Sequence, residues 1–138
     1  MPVAARGNMD KRVGMSADLI NHGNGATHPW WVAGATAQEI NIAAGMGLAA
    51  DAALVDAFSF SHIIFSQSAD QAAAPTVLIK YRVPGGGTDK TITLYVGASA
   101  GMYVIPVGFV FPVGATFCSV EFAGVATGTG VLLLQGVN

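Results

Sequence analysis

The side chains best suited to metal binding or nucleophilic chemistry in this 138-residue chain are three histidines and one cysteine: His22, His28, His62 and Cys118. The histidines have neither the i, i+4 spacing nor the paired spacing of zinc ligands, and no second cysteine accompanies the first. His62 falls in FSFSHIIF, on the face that strict alternation assigns to Phe58, Phe60 and Ile64. That position is typical of a core or interface histidine rather than a ligand.

Hydroxyl nucleophiles and carboxylates give no stronger signal. Ser59, Ser61 and Cys118 have no GxSxG or comparable context that would activate a nucleophile. The aspartates at positions 51, 56 and 70 are not held on one face by any repeat, so solvated loop acids explain them better than paired catalytic or calcium-binding carboxylates. We therefore predict that the chain is not an enzyme and has no catalytic, cofactor-binding or metal-binding residues.

Two glycine-rich stretches resemble phosphate-binding loops. Gly45-Met46-Gly47 with Ala50 matches GxGxxA, but the remaining chain reads as consecutive strands rather than alternating strands and helices. The stretch PGGGTDK lacks the spacing GxxxxGK[ST]. We interpret the first as glycine-rich punctuation between strands and the second as a hairpin loop.

The composition predicts an associating protein. Only 10% of residues are charged, against roughly 25% in an ordinary soluble domain, while 52% are hydrophobic and 18 are glycine. With so few charged residues, a monomer would expose a large apolar surface to water. The composition therefore favours an obligate oligomer. The net charge of −2, with basic residues paired only at Lys11-Arg12, argues against direct nucleic-acid binding.

A long uncharged run extends from Thr91 to Val120. It could span a bilayer by length, but Pro106, Pro112 and its glycines suit a single spanning helix poorly, so we expect no membrane segment. The first 25 residues contain no apolar stretch of seven or more, which argues against a secretory signal. A single cysteine fits synthesis in a reducing compartment.

The chain divides into an amino-terminal arm over residues 1–27 and a β domain over residues 28–138. The β domain shows short apolar strands spaced about ten residues apart and separated by Gly, Pro, Ser or Asp. Eight strands are predicted, over residues 29–33, 38–44, 56–65, 76–83, 90–96, 102–111, 116–122 and 130–135. This count predicts an all-β, antiparallel β-sandwich, most simply a jelly roll, with an immunoglobulin-like sandwich or a small barrel as alternatives. Ala49–Phe58 is alanine-rich and could form a short helix.

The predicted strands differ in polarity between their faces. TVLIKYRV and KTITLYV, joined by PGGGTD, alternate clearly and predict a hairpin. GVLLLQ and MYVIPVGFVF are apolar on both faces, so one face needs a cover besides the chain's own core. Trp30 and Trp31 are adjacent on a strand, so one ring should enter the core and the other should point outward. The predicted interface residues are Trp30, Trp31, Tyr103, Ile105, Phe109 and Phe111.

In overall style, the chain resembles the small decoration, or cement, proteins of tailed-bacteriophage capsids. The shared features are an extended arm, a glycine-rich and charge-poor β domain, no signal peptide, and a last strand close to the carboxyl end. The resemblance implies a homotrimer on the capsid surface of the virion, made in the bacterial cytoplasm and bridging adjacent subunits of the major capsid protein. The alternatives are a tail or head-fibre component, and a carbohydrate-binding module that would use a tryptophan and the loop GNGATH.

Overall fold

The computed structural model describes residues 30–138, and the predicted arm over residues 1–27 lies outside them. The described residues form an all-β structure with one short helix. Its elements are β1 (Trp31–Asn41), α1 (Ile42–Gly45), β2 (Phe58–Gln67), β3 (Thr76–Arg82), β4 (Lys90–Tyr95), β5 (Gly101–Phe111) and β6 (Thr116–Gln135). The all-β prediction is confirmed.

The six strands form one curled antiparallel sheet in the order β4-β3-β6-β2-β5, with β1 along the other edge of β6. The 20-residue strand β6 organises this sheet. The part of β6 from Thr116 to Ala123 pairs with β3, and the part from Gly130 to Gln135 pairs with β2. Strand β1 pairs with both parts of β6, so two long strands are shared by the whole sheet.

The curl divides the sheet into two halves that pack by their inner faces. The charged half contains β4, β3, residues 116–125 of β6 and residues 36–41 of β1. The uncharged half contains β5, β2, residues 130–135 of β6 and residues 31–34 of β1. Tyr81 of β3 contacts Phe109 and Phe111 of β5 at ring-centroid distances of 5.6 and 6.0 Å, which closes one core between the halves.

The eight predicted strands correspond to six in the structure because two predicted breaks are continuous strand. The stretches 29–33 and 38–44 contribute to β1, and 116–122 and 130–135 to β6. Gly34 pairs with Gly130 and Thr36 with Val125, so β6 has a multi-residue bulge over 126–129 where both strands bend. The count of eight was wrong because glycine-rich sequence normally ends strands, and here it only bends them.

A side chain from another loop stabilises this bulge. Gln71 follows β2, and its Oε1 accepts hydrogen bonds from the N–H groups of Ala126 and Thr127 at 2.9 and 3.0 Å. Its Nε2 donates to the Thr127 carbonyl at 2.7 Å. The Thr129 N–H donates to Ser68 Oγ at 2.9 Å. The bulge therefore keeps its backbone groups paired without a regular strand partner.

The short helix lies earlier than predicted. Residues 49–57 are not helical, and α1 covers Ile42–Gly45 instead. Asn41 caps α1, because its side-chain Oδ1 accepts a hydrogen bond from the Ala44 N–H at 3.1 Å. Gly45 ends this helix and Gly47 has φ of 87°, so the GxGxxA stretch follows a helix rather than beginning one.

The predicted hairpin is confirmed. Strands β3 and β4 pair from Thr76 opposite Tyr95 to Tyr81 opposite Lys90, with PGGGTD in the connecting loop. The inner side chains Val77 and Ile79 are buried, as alternation predicts.

Candidate interaction surface

Charge is segregated between the two halves of the sheet. The strand segments of the uncharged half contain no Asp, Glu, Lys or Arg. The strands of the charged half carry Glu39, Lys80, Arg82, Lys90 and Glu121. The described domain therefore has two outer faces of different chemistry.

The outer face of the uncharged half is built from cross-strand rows. Trp31 lies opposite Leu133, Leu133 opposite Ile64, and Ile64 opposite Val104, so four apolar side chains cross β1, β6, β2 and β5. Residues directly opposite in an antiparallel sheet project from the same face, so this row is continuous. We call it the apolar row.

The neighbouring row is also uncharged. Ala33 lies opposite Val131, Val131 opposite Ser66, and Ser66 opposite Met102. Met102 and Val104 on β5 are 67% and 51% exposed, and Val110 further along the same face is 54% exposed. Removing such apolar surface from water contributes about 25 cal/mol per Å². This face has the chemistry of a surface that gains free energy when another surface covers it.

His62 belongs to this outer face and not to the face that simple alternation assigned. The register of β2 against β5 shifts between Phe60 and His62, so Phe58 and Phe60 point into the core while His62 and Ile64 point outward. The Ser61 hydroxyl lies 2.8 Å from His62 Nδ1 and 3.2 Å from the carbonyl oxygen of Gln135. The register shift in β2 thus brings Ser61 and His62 together beside the apolar row.

The predicted interface residues divide between the two faces. Trp30 precedes β1 and is buried, with its ring 4.5 Å from that of Phe58, whereas Trp31 begins β1 and lies in the apolar row. Phe111 is fully buried within its own chain, so its side chain belongs to the core of the domain. Tyr103, Ile105 and Phe109 also pack against the core and are half-buried.

The outer face of β5 is formed instead by residues that the interface prediction missed. Alternation separated Tyr103 and Ile105 from Met102 and Val104, but both sets are apolar, so it did not show which set faces inward. The aromatic set fills the core because it buries more area. The signal for Leu133 was already present in GVLLLQ, whose two faces are both apolar.

The charged half contains two ion pairs. Lys80 Nζ lies 3.4 Å from Glu121 Oε2, and Arg82 Nε lies 2.6 Å from Asp89 Oδ1. The hydrogen bond from Arg82 lowers the pKa of the Asp89 carboxyl. The Arg82 guanidinium also stacks over the Phe117 ring at 4.0 Å. On this polar face, Lys80 and Arg82 are therefore each paired with a carboxylate of the same chain.

Other groups bear on the predicted chemistry. Burial raises the pKa of the Cys118 thiol to about 11, with a smaller contribution from the nearby Asp51 charge. Within residues 30–138, no group of three or more His, Cys, Asp or Glu side chains has an arrangement that could hold a metal ion. In the same part of the chain, no helix has the length and apolarity needed to cross a bilayer.

Comparison with known proteins leaves these surfaces to be interpreted on their own chemistry. The sequence matches no protein-family model and no curated protein.

Proposed function

We propose that this protein is a virion structural protein, a decoration protein that self-associates and bridges adjacent subunits on a tailed-bacteriophage capsid. The observation that carries the proposal is the uncharged outer face with its apolar row. An exposed sheet face without a single charged side chain is unusual for a protein that acts alone, and it suits a permanent subunit contact.

The mechanism follows from that face. Association covers Val104, Met102 and their row neighbours, and the charged half remains directed toward water or a second partner. Bridging needs no catalysis, because the buried apolar area of the contact stabilises the assembled particle. A homotrimer is the favoured oligomer, and a jelly-roll relationship is the finer fold expectation that accompanies this role.

A tail or head-fibre component would use the same face in the same way. A carbohydrate-binding module receives less support, because the register neighbour of Trp31 is Leu133 and the row continues with Ile64 and Val104. Sugar recognition requires hydrogen-bonding groups beside the stacking ring, and the other three members of this row have apolar side chains.

The first experiment measures mass by light scattering at micromolar concentration. The full chain should have a multiple of its 14.0 kDa protomer mass. Val104→Asp, which places a charge on the apolar row, should weaken association at least about tenfold because the contact would bury an unpaired carboxylate. Val55→Asp is the matched control, since Val55 is 64% exposed and lies outside the strands. A monodisperse monomer, or equal effects of both variants, would contradict the proposed contact.

The second experiment tests the virion role separately. The chain is co-expressed with the capsid protein encoded beside its gene, and assembled particles are sedimented. The wild-type chain should sediment with the particles and Val104→Asp should be depleted. A wild-type chain that oligomerises but stays in the supernatant would overturn the decoration role and leave the self-association intact.

A further inference from the structure

A cleft of about 200 Å³ opens on the outer face of the charged half, away from the apolar row. Its lining includes Glu39, Asp51, Lys80, Ser119 and Glu121. The strands place these groups side by side, because Asn41 lies opposite Ser119 and Ser119 opposite Lys80, while Glu39 lies opposite Glu121. The cleft is therefore formed by rigid strands along most of its floor.

The cleft has an excess of negative charge. Glu121 is paired with Lys80, and Asp89, which also lines the cleft, is paired with Arg82. Glu39 and Asp51 share only a neutral donor, the Asn41 Nδ2 group, at 3.1 and 2.9 Å. Within residues 30–138, neither carboxylate has a cationic partner. Glu39 also lies directly opposite a like charge, an arrangement that destabilises a strand pair by itself.

A second and independent feature is the hydroxyl group of Ser119. This residue is only 5% exposed, lines the cleft, and makes no side-chain hydrogen bond with any described residue. The Ser119 Oγ is reached by solvent from the cleft, so it is free to form a hydrogen bond with a bound group. The Ser119 hydroxyl can accept a hydrogen bond from a group that binds in the cleft between Lys80 and the carboxylates of Glu39 and Asp51.

We propose that the cleft binds the guanidinium group of an arginine side chain from a second polypeptide. A guanidinium has five N–H donors in one plane, so it can reach several acceptors at once, here the Glu39 and Asp51 carboxylates and the Ser119 hydroxyl. Its single positive charge offsets one of the two negative charges that Glu39 and Asp51 leave. A metal ion suits the cleft less well, because its carboxylates are not grouped as ligands. The inference does not depend on the apolar row and gives the domain a second binding face.

The test uses Nα-acetyl-arginine amide as the probe and follows backbone amide signals of the full chain by NMR. Saturable shifts should occur at Ser119, Glu39 and Asp51. Glu39→Gln should weaken binding on the order of tenfold, because a charge-assisted hydrogen bond becomes a neutral one. Ser119→Ala should weaken it by a few fold. Asp56→Asn, the same loss of a carboxylate in an exposed loop outside the cleft, should leave binding unchanged.

Two further measurements keep the test decisive. Glu39→Gln should melt at the same temperature as the wild type or higher, since it removes a like-charge pair, so weaker binding would not reflect unfolding. The lysine analogue of the probe should bind several-fold more weakly than the arginine probe. Absence of saturable shifts, equal effects of Glu39→Gln and Asp56→Asn, or equal affinity for both probes would overturn the proposal.

Discussion

The rings of Phe65 and Phe122 lie 5.2 Å apart at 55°, and they connect the two halves of the sheet. Phe65 comes from β2 in the uncharged half and Phe122 from the part of β6 in the charged half. Both rings lie over Gly130, where an added Cβ would approach Phe122 to 2.9 Å and Phe65 to 3.2 Å. The contact exists because this position of β6 has no side chain.

Gly130→Ala should therefore destabilise the domain by about 1–3 kcal/mol, the usual cost of overpacking a core. Urea unfolding measures this change. Gly87→Ala is the control, because nothing lies within 4 Å of a Cβ at that loop position. Adding Phe122→Leu should make the double variant less destabilised than the sum of the two single changes. Strict additivity would contradict the steric explanation.

Gln71→Ala should destabilise the fold by about 2–3 kcal/mol, because it leaves backbone groups of the bulge without partners. Hydrogen exchange gives the local signature, since the amides of Ala126 and Thr127 should lose protection first. Gln135→Ala, a glutamine at the outer face of β6, should change neither quantity appreciably. Unchanged protection at Ala126 in Gln71→Ala would show that the bulge holds without that side chain.

Cys118 should react with a thiol reagent only after unfolding, because the side chain is fully buried and its pKa is raised to about 11. The raised pKa also affects stability. Between the unfolded-state value near 9.0 and about 11, the unfolded chain loses the thiol proton more readily than the folded one. Stability is therefore fully present below about pH 9 and falls, on the order of 2 kcal/mol, as pH rises through 11. Cys118→Ala should lack this part of the alkaline loss, which denaturant titrations at pH 8 and 11 can measure.

Added salt should weaken one of the two proposed contacts and not the other. Raising NaCl from 0.05 to about 0.5 M should weaken binding of the arginine probe several-fold, because it screens the Glu39 and Asp51 charges. Self-association through the apolar row should stay constant or strengthen, and sulfate should strengthen it further. Loss of the oligomer at high salt would mean that charged residues hold it together.

Much of the fold was predictable because its signals are local. Alternation in TVLIKYRV and KTITLYV specified the hairpin, which the pairing of β3 with β4 confirms. The continuity of β6 was not predictable, because it depends on Gln71 and Ser68 reaching the bulge from a loop that is 55–61 residues away in sequence.

The candidate surfaces were predictable only in part. Low charge and strands with two apolar faces indicated an association surface, but the shift at Ser61 and His62 decides which residues of β2 face outward. The cleft around Ser119 could not be anticipated, since its lining comes from β1, β3, β6 and two loops that only the long-range pairing of these strands brings together.

The sharing of β1 and β6 by both halves also determines when the chain can fold during synthesis. Strand β1 leaves the ribosome early, but every described partner of β1 in the sheet lies in β6. Translation must pass Gln135 before the pairing of Trp31 with Leu133 can form. Until then the hairpin β3–β4 and the β2–β5 pair can form locally, yet neither can close its core. The core of this domain can therefore close only after β6 has been synthesised.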